Sequence, residues 1–166
     1  MEILTHSWPN TCLASGSMIL LLIIFSRRKW NQWIYYFCIL TSIALIIYVT
    51  LGERTVRPQI HYQLELFWTV RAWMETGRSY YPLMIFQNMV LFMPFGCFVM
   101  GLGKWKWWQV ILAGFLLSAT VETTQLVCRI GLFEFDDMLN NTVGTGLGVL
   151  LTVRGKPDYF RNESKQ

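Results

Sequence analysis

Apolar residues fall into long runs near 8–26, 33–51, 83–102, 107–127 and 138–153. Each run approaches the roughly twenty residues that a helix needs to cross a bilayer, so the pattern predicts five transmembrane helices. The fifth run is the shortest and opens on Asn140-Asn141, which implies that it starts inside the membrane or leans on its neighbours. The stretch 52–82 is too long for a simple turn. Within it Tyr62, Leu66, Val70, Trp73 and Met74 recur at helical spacing, with Glu65, Thr69 and Glu75 among the polar positions. That spacing predicts an interfacial helix lying on the outer leaflet. The expected fold is all-α: one polytopic transmembrane domain over 1–153, followed by a basic tail, 154–166.

Polar residues interrupt the last two runs in a regular way. Ser118, Glu122, Gln125 and Arg129 lie within an arc of about sixty degrees on one helix face. Asp137, Asn140, Asn141, Gly144 and Gly148 share a face of the next helix, so two polar stripes can meet in an apolar setting. Burying such groups is costly unless they have partners or a task. In the run before them, Pro94 cannot donate to the carbonyl four residues earlier, which predicts a kink and an exposed carbonyl near Val90, with Asn88 in the outer half of that span. Gly144 and Gly148 form a GxxxG pair. Such a pair lets a helix press its backbone against another, either the 107–127 helix of the same chain or a second copy in a homo-oligomer.

Composition supports a membrane setting. Of 166 residues 54% are hydrophobic and only 14% charged, a balance of integral membrane proteins. A net charge of +4 would raise nucleic acid as a partner in a soluble protein, but here the basic residues sit between apolar runs and report topology. The Lys104-Trp105-Lys106-Trp107-Trp108 loop reads as an interfacial belt rather than a nucleic-acid platform. Arg27, Arg28 and Lys29, Lys104 and Lys106, and the tail from Arg154 share one side, which includes every lysine. The positive-inside rule makes that side cytoplasmic and places the N-terminus outside in a multi-pass cell-membrane protein. Because those first charges come after the first apolar run, that run reads as an anchor and not as a signal peptide. The outer side then receives Arg54, Arg57, Arg71, Arg78 and Arg129 against an excess of carboxylates. All its cations are guanidinium groups, the fork-shaped donors suited to phosphate and carboxylate. Cys12, Cys38, Cys97 and Cys128 form no CxxC pair, so they suggest neither a zinc site nor a disulfide framework.

Three blocks carry a resemblance to a known family. Asn88-Met-Val-Leu-Phe-Met-Pro94-Phe-Gly96, Ser118-Ala-Thr-Val-Glu122-Thr-Thr-Gln125, and Arg129 followed by Glu134-Phe-Asp-Asp137-Met-Leu-Asn-Asn141-Thr-Val-Gly144 closely resemble the VanZ-like family. Upstream, Thr50-Leu51 and Arg54 resemble the family's Thr-Leu element and its following arginine, whereas Gln63-Leu-Glu-Leu-Phe67 departs from the pattern and Glu134 stands where an aspartate is usual. The resemblance implies an accessory membrane protein of glycopeptide resistance, linked to teicoplanin, a lipid-tailed antibiotic acting at the outer surface. It names a phenotype and no reaction.

Three uses of the polar cluster stay open. In one, it is an outer-leaflet site for head-group chemistry on a membrane lipid or lipid-linked envelope precursor: Glu122 and Asp137 handle protons or place a divalent cation, and Arg129, with Arg57 and Arg71 from the 52–82 stretch, holds phosphate. Ser118, Gln125, Asn88, Asn140 and Asn141 would orient the substrate. In the second, the same residues bind a head group or a lipoglycopeptide antibiotic without chemistry. In the third, Glu122 pairs with Arg129, and Asp137 with Asn141 and Asn88, only to hold helices together. Whether the chain is an enzyme is open between them.

Overall fold

A computed structural model of the chain describes residues 31–52, 54, 56 and 58–154. The expected first span 8–26, the cations Arg27, Arg28 and Lys29, Cys12, Arg57 and the tail beyond 154 lie outside the described residues.

The four apolar runs within the described residues become helices close to their expected limits. Helix α1 spans Gln32–Ile47 and continues as a π-helical turn over Tyr48–Gly52. A three-residue strand β1 (His61–Gln63) and a short helix α2 (Trp68–Thr76) come next. Then come α3 (Tyr80–Gly101), α4 (Trp107–Cys128), strand β2 (Leu132–Glu134) and α5 (Phe135–Arg154). Helix α4 starts at Trp107 because the Gln109 side chain accepts the Lys106 main-chain N–H at 2.9 Å, satisfying a donor that the helix leaves unpaired. It ends where Arg129 takes a left-handed φ of 57°.

Three findings refine the expected fold. Among the described residues, three helices are long and apolar enough to cross a membrane: Gln32–Gly52, Tyr80–Gly101 and Trp107–Cys128. Helix α5 is long enough, but Asp136, Asp137, Asn140, Asn141 and its glycines and threonines keep it below the hydropathy of a span, so it depends on its neighbours. The chain is mostly helical, yet not wholly so. β1 and β2 pair in parallel, with Tyr62 opposite Phe133 and Gln63 opposite Glu134. The helix expected around Tyr62–Met74 is accordingly shorter than its apolar spacing suggests: Tyr62 belongs to β1, and α2 begins only at Trp68. Long-range pairing overrides a local period when it satisfies backbone groups that the local helix would not.

The core is the contact between α3 and α5, with α1 and α4 against it. Phe92, Phe95 and Val99 of α3 meet Val149 and Val153 of α5 and Ile46 of α1. Pro94 lies buried inside an unbroken α3. The GxxxG pair works within the chain, as expected, but its partner is α3 and not the 107–127 helix. A Cβ on Gly144 would strike the Met89 carbonyl oxygen; one on Gly148 would strike the Met93 carbonyl oxygen and come 2.8 Å from the Cys97 nitrogen. Gly96 of α3 faces the Thr145 main chain in the same way. With the backbones this close, the Cys97 thiol donates to the Gly148 carbonyl at 3.2 Å, and the Thr152 hydroxyl reaches the Cys97 carbonyl at 3.2 Å.

Candidate functional site

Carboxylates from three elements converge where α4, β2 and α5 meet. Glu122, two turns before the end of α4, is 2% exposed, and its Oε2 accepts the main-chain N–H of Glu134 at 3.0 Å. Glu134 ends β2 and is 6% exposed. Asp137, in the first turn of α5, accepts a hydrogen bond from the Asn88 amide of α3 at 2.6 Å. Its position suits the positive end of the helix dipole. Asp137 acts electrostatically on both Glu122 and Glu134, so the three form one charge cluster.

The cation of this cluster is Arg54. Its charge acts on Glu122, Glu134 and Asp137 alike and on the Tyr80 hydroxyl. It is exposed, and among the described residues it forms no close ion pair with any of them. Arg54 lies just beyond the π-helical turn Tyr48–Gly52, which is tied to α4 by the Gln125 amide donating to the Thr50 carbonyl at 3.2 Å. Single π turns are rare and recur at functional sites. The extra residue in such a turn rotates the chain beyond it, here the segment that carries Arg54.

Glu134 lies outside the long helices, and its acidity shows the local environment. Burial, then the charges of Asp137 and Glu122, push its carboxyl up to about 8, against the weaker opposing pull of Trp68 and Arg54. Its Oε2 has no hydrogen-bond partner among the described residues. Trp68 Nε1 stands beside it and favours its anion, but it also falls outside bonding geometry, so the two groups are close without being joined.

Asp136 faces the other way and builds the roof. Its two carboxylate oxygens accept the main-chain N–H groups of Phe67 at 2.6 Å and Thr69 at 2.9 Å. Helix α2 has no side-chain cap of its own, and Phe67 holds a left-handed φ of 60° before it. A carboxylate from sixty-seven positions along the chain therefore supplies the cap that the local sequence lacks. This fixes Trp68 over Glu134, and Trp68 stacks edge-on against Tyr81 with ring centroids 6.0 Å apart.

The remaining sequence-derived residues divide. Ser118 and Asn141 meet one turn deeper, the Asn141 amide donating to the Ser118 hydroxyl at 2.8 Å, while Asn141 Oδ1 is left without a partner among the described residues. Thr145 continues this polar ladder by donating to the Asn141 carbonyl at 3.0 Å. Gln125 is buried but turned toward Thr50 and Gly131. Asn140 is half-buried beside the ladder. Arg129 and Arg71 are not brought to the carboxylates. Arg129 is an exposed helix terminus and does not pair with Glu122. Arg71 is held on the surface of α2 by Glu65, with Glu75 3.6 Å away. Arg57 lies outside the described residues. Among the described residues no three acidic, histidine or cysteine side chains are arranged to hold a metal ion, so Glu122 and Asp137 do not extend to a three-carboxylate cation site with Glu134.

Sequence reasoning places Glu122, Asp137, Asn88, Ser118 and Asn141, but it assigns no site roles to Arg54, Glu134, Asp136 or Trp68. The upstream Thr-Leu element is the one signal pointing to Arg54; nothing local marks Asp136 as a cap for a helix so far away.

Comparison with known proteins adds a single positive result. A family model described as VanZ/LLP1 matches residues 17–155, which includes every residue of the carboxylate cluster and Arg54. No curated protein and no solved structure matches. With the match extending over most of its length, the chain belongs to the VanZ/LLP1 family.

Proposed function

We propose that this protein acts at the outer leaflet of the cell membrane on the head group of a phosphate-bearing or glycosylated lipid, and that through this it lowers susceptibility to glycopeptide antibiotics. The observation that carries the reading is the convergence of Glu122, Glu134 and Asp137 from three elements onto one exposed guanidinium, Arg54. Carboxylates gathered this closely repel one another as anions, so they share protons and can pass them to or from a bound head group. A guanidinium with no close ion pair among the described residues is free to take a phosphate in bidentate fashion. The roof formed by α2 keeps Trp68 over the cluster and limits water around it.

A structural use of the same groups has its own support: the Asn88–Asp137 and Asn141–Ser118 hydrogen bonds join α3 to α5 and α5 to α4. The two readings part on conservative replacement. Glu122→Gln and Asp137→Asn keep shape and hydrogen-bonding capacity but remove the carboxyl proton chemistry. In a host whose teicoplanin susceptibility depends on this chain, each variant is expected to restore full susceptibility while the protein accumulates at its normal level. Normal resistance and an unchanged membrane lipid profile in both variants would overturn the head-group reading and leave the structural one.

A further inference from the structure

Once ionised, the carboxyl groups of the cluster outnumber its one cation, a balance that does not suit a ligand that is only an anion. Three carboxylates face one guanidinium, and the buried Oε2 of Glu134, on a residue only 6% exposed, has no partner among the described residues. Two of the three orphaned buried atoms are acceptors, Glu134 Oε2 and Asn141 Oδ1 one turn deeper; the third, Trp68 Nε1, is a donor that stands beside Glu134 outside bonding geometry. A buried acceptor left empty costs about 1–3 kcal/mol, which a donor brought in by a ligand would recover. Around the carboxylates stand aromatic rings. Trp68 lies beside Glu134, the Tyr80 hydroxyl lies within the field of Glu134 and Asp137, and Tyr81 links the two rings with centroids 6.0 Å from Trp68 and 5.7 Å from Tyr80.

We propose that the head group bound here carries a primary ammonium beside its phosphate, the ammonium entering among Glu122, Glu134 and Asp137 under Trp68 and the phosphate resting on Arg54. A primary ammonium brings three N–H donors, enough to fill the empty acceptor as well as the neighbouring carboxylates. A trimethylated ammonium has the same charge and no donor, and an N-acetylated amine has lost the charge. This inference rests on the head-group reading above and narrows its ligand to an aminated phosphate, whether on a lipid or as the free head group.

The test uses the full chain purified in detergent, with bound ligand counted by native mass spectrometry. The ligands are a phosphoethanolamine lipid, its N-acetyl and N-trimethyl counterparts, and free O-phosphoethanolamine, which separates the lipid from the head group as the source of binding. The expected result is that the primary amine lipid is retained at least about tenfold better than either counterpart. Glu134→Gln should erase that preference while its thermal unfolding remains cooperative, and Arg54→Ala should weaken all three lipids together. For the wild type, retention of the amine should rise between about pH 6 and about pH 8.5, as Glu134 ionises in the presence of Glu122, Asp137, Arg54 and Trp68 while the amine remains protonated. An anion bound through Arg54 alone would show the opposite trend. Equal retention of the three lipids would overturn the ammonium inference and leave the head-group reading in place. Retention of none of them by the wild type would overturn both.

Discussion

The two halves of α5 solve opposite problems. From Gly144 to Thr152 the helix meets α3 closely: its glycines face carbonyl oxygens, Val149 packs into the core, and Cys97 and Thr152 bridge the two backbones. From Asp136 to Asn141 it presents acids and amides, two of which leave the local packing in different directions, Asp136 to α2 and Asp137 to α3. The first half is matched to its partner atom by atom and has no room to change. The second gathers groups that repel one another and leaves an acceptor unsatisfied at Asn141. A helix optimised only for stability would not place its most polar turn beside Glu122 and Glu134, since buried charge gains little over apolar packing. The contrast indicates that the close half provides the rigidity against which the polar half can be held.

Filling the close half should have the largest effect. Gly148→Leu forces a side chain into the Met93 carbonyl and the Cys97 nitrogen, where the backbone cannot yield. Overpacking typically costs about 1–3 kcal/mol and here exceeds it, so the variant is expected to fail to accumulate in the membrane, with Gly144→Leu behaving alike. Normal accumulation and an unaltered melting temperature would show that the α3–α5 contact is not the rigid element.

An intermediate effect belongs to the roof. Asp136→Ala removes a carboxylate that accepts two main-chain N–H groups, a loss of about 1.5–3 kcal/mol for a charge-assisted pair. Because α2 is short and packs at the edge, the loss should appear as local opening: faster hydrogen exchange and proteolysis within Trp68–Thr76, with the melting of the four long helices almost unchanged.

The smallest effect is a pH slope. Glu134 holds its proton more firmly in the fold than in the unfolded chain, because burial, Asp137 and Glu122 raise it to about 8 against Trp68 and Arg54. A raised folded value means that the stabilising contribution is complete below the unfolded value, about 4.3, and is lost as pH climbs through about 8. The melting temperature should therefore fall by a few degrees between about pH 5 and about pH 9, and Glu134→Gln should flatten much of that slope. A slope of opposite sign in the wild type would mean that the carboxyl is ionised in the fold.

Much of the helical content is legible in the sequence because it is local. A run of apolar residues specifies a helix by its own period, and α1, α3, α4 and α5 end within a few residues of the runs that predict them. Stripe geometry sets Ser118 and Glu122 opposite Asp137 and Asn141, and the Ser118–Asn141 bond has that arrangement. The stretch before α3 is less legible, because its spacing suits a helix while the parallel pairing with β2 takes Tyr62 into a strand. Arg129 and Arg71 suit phosphate by type and by the side of the membrane that the charge pattern predicts for them, but neither property fixes where a long side chain goes.

By itself the sequence determined that the four described apolar runs are helical, which of their faces are polar, and the family to which the chain belongs, since all three depend on the identity and spacing of neighbours. Only the tertiary structure decided that Gly144 and Gly148 pack on α3, that the charge of Arg54 acts on the carboxylates while Arg129 is an exposed helix terminus, and that Asp136 caps a helix sixty-seven positions away. Each of these joins residues far apart in sequence, and the energies that choose among such partners, backbone approach, capping and desolvated charge, exist only once the helices are in place.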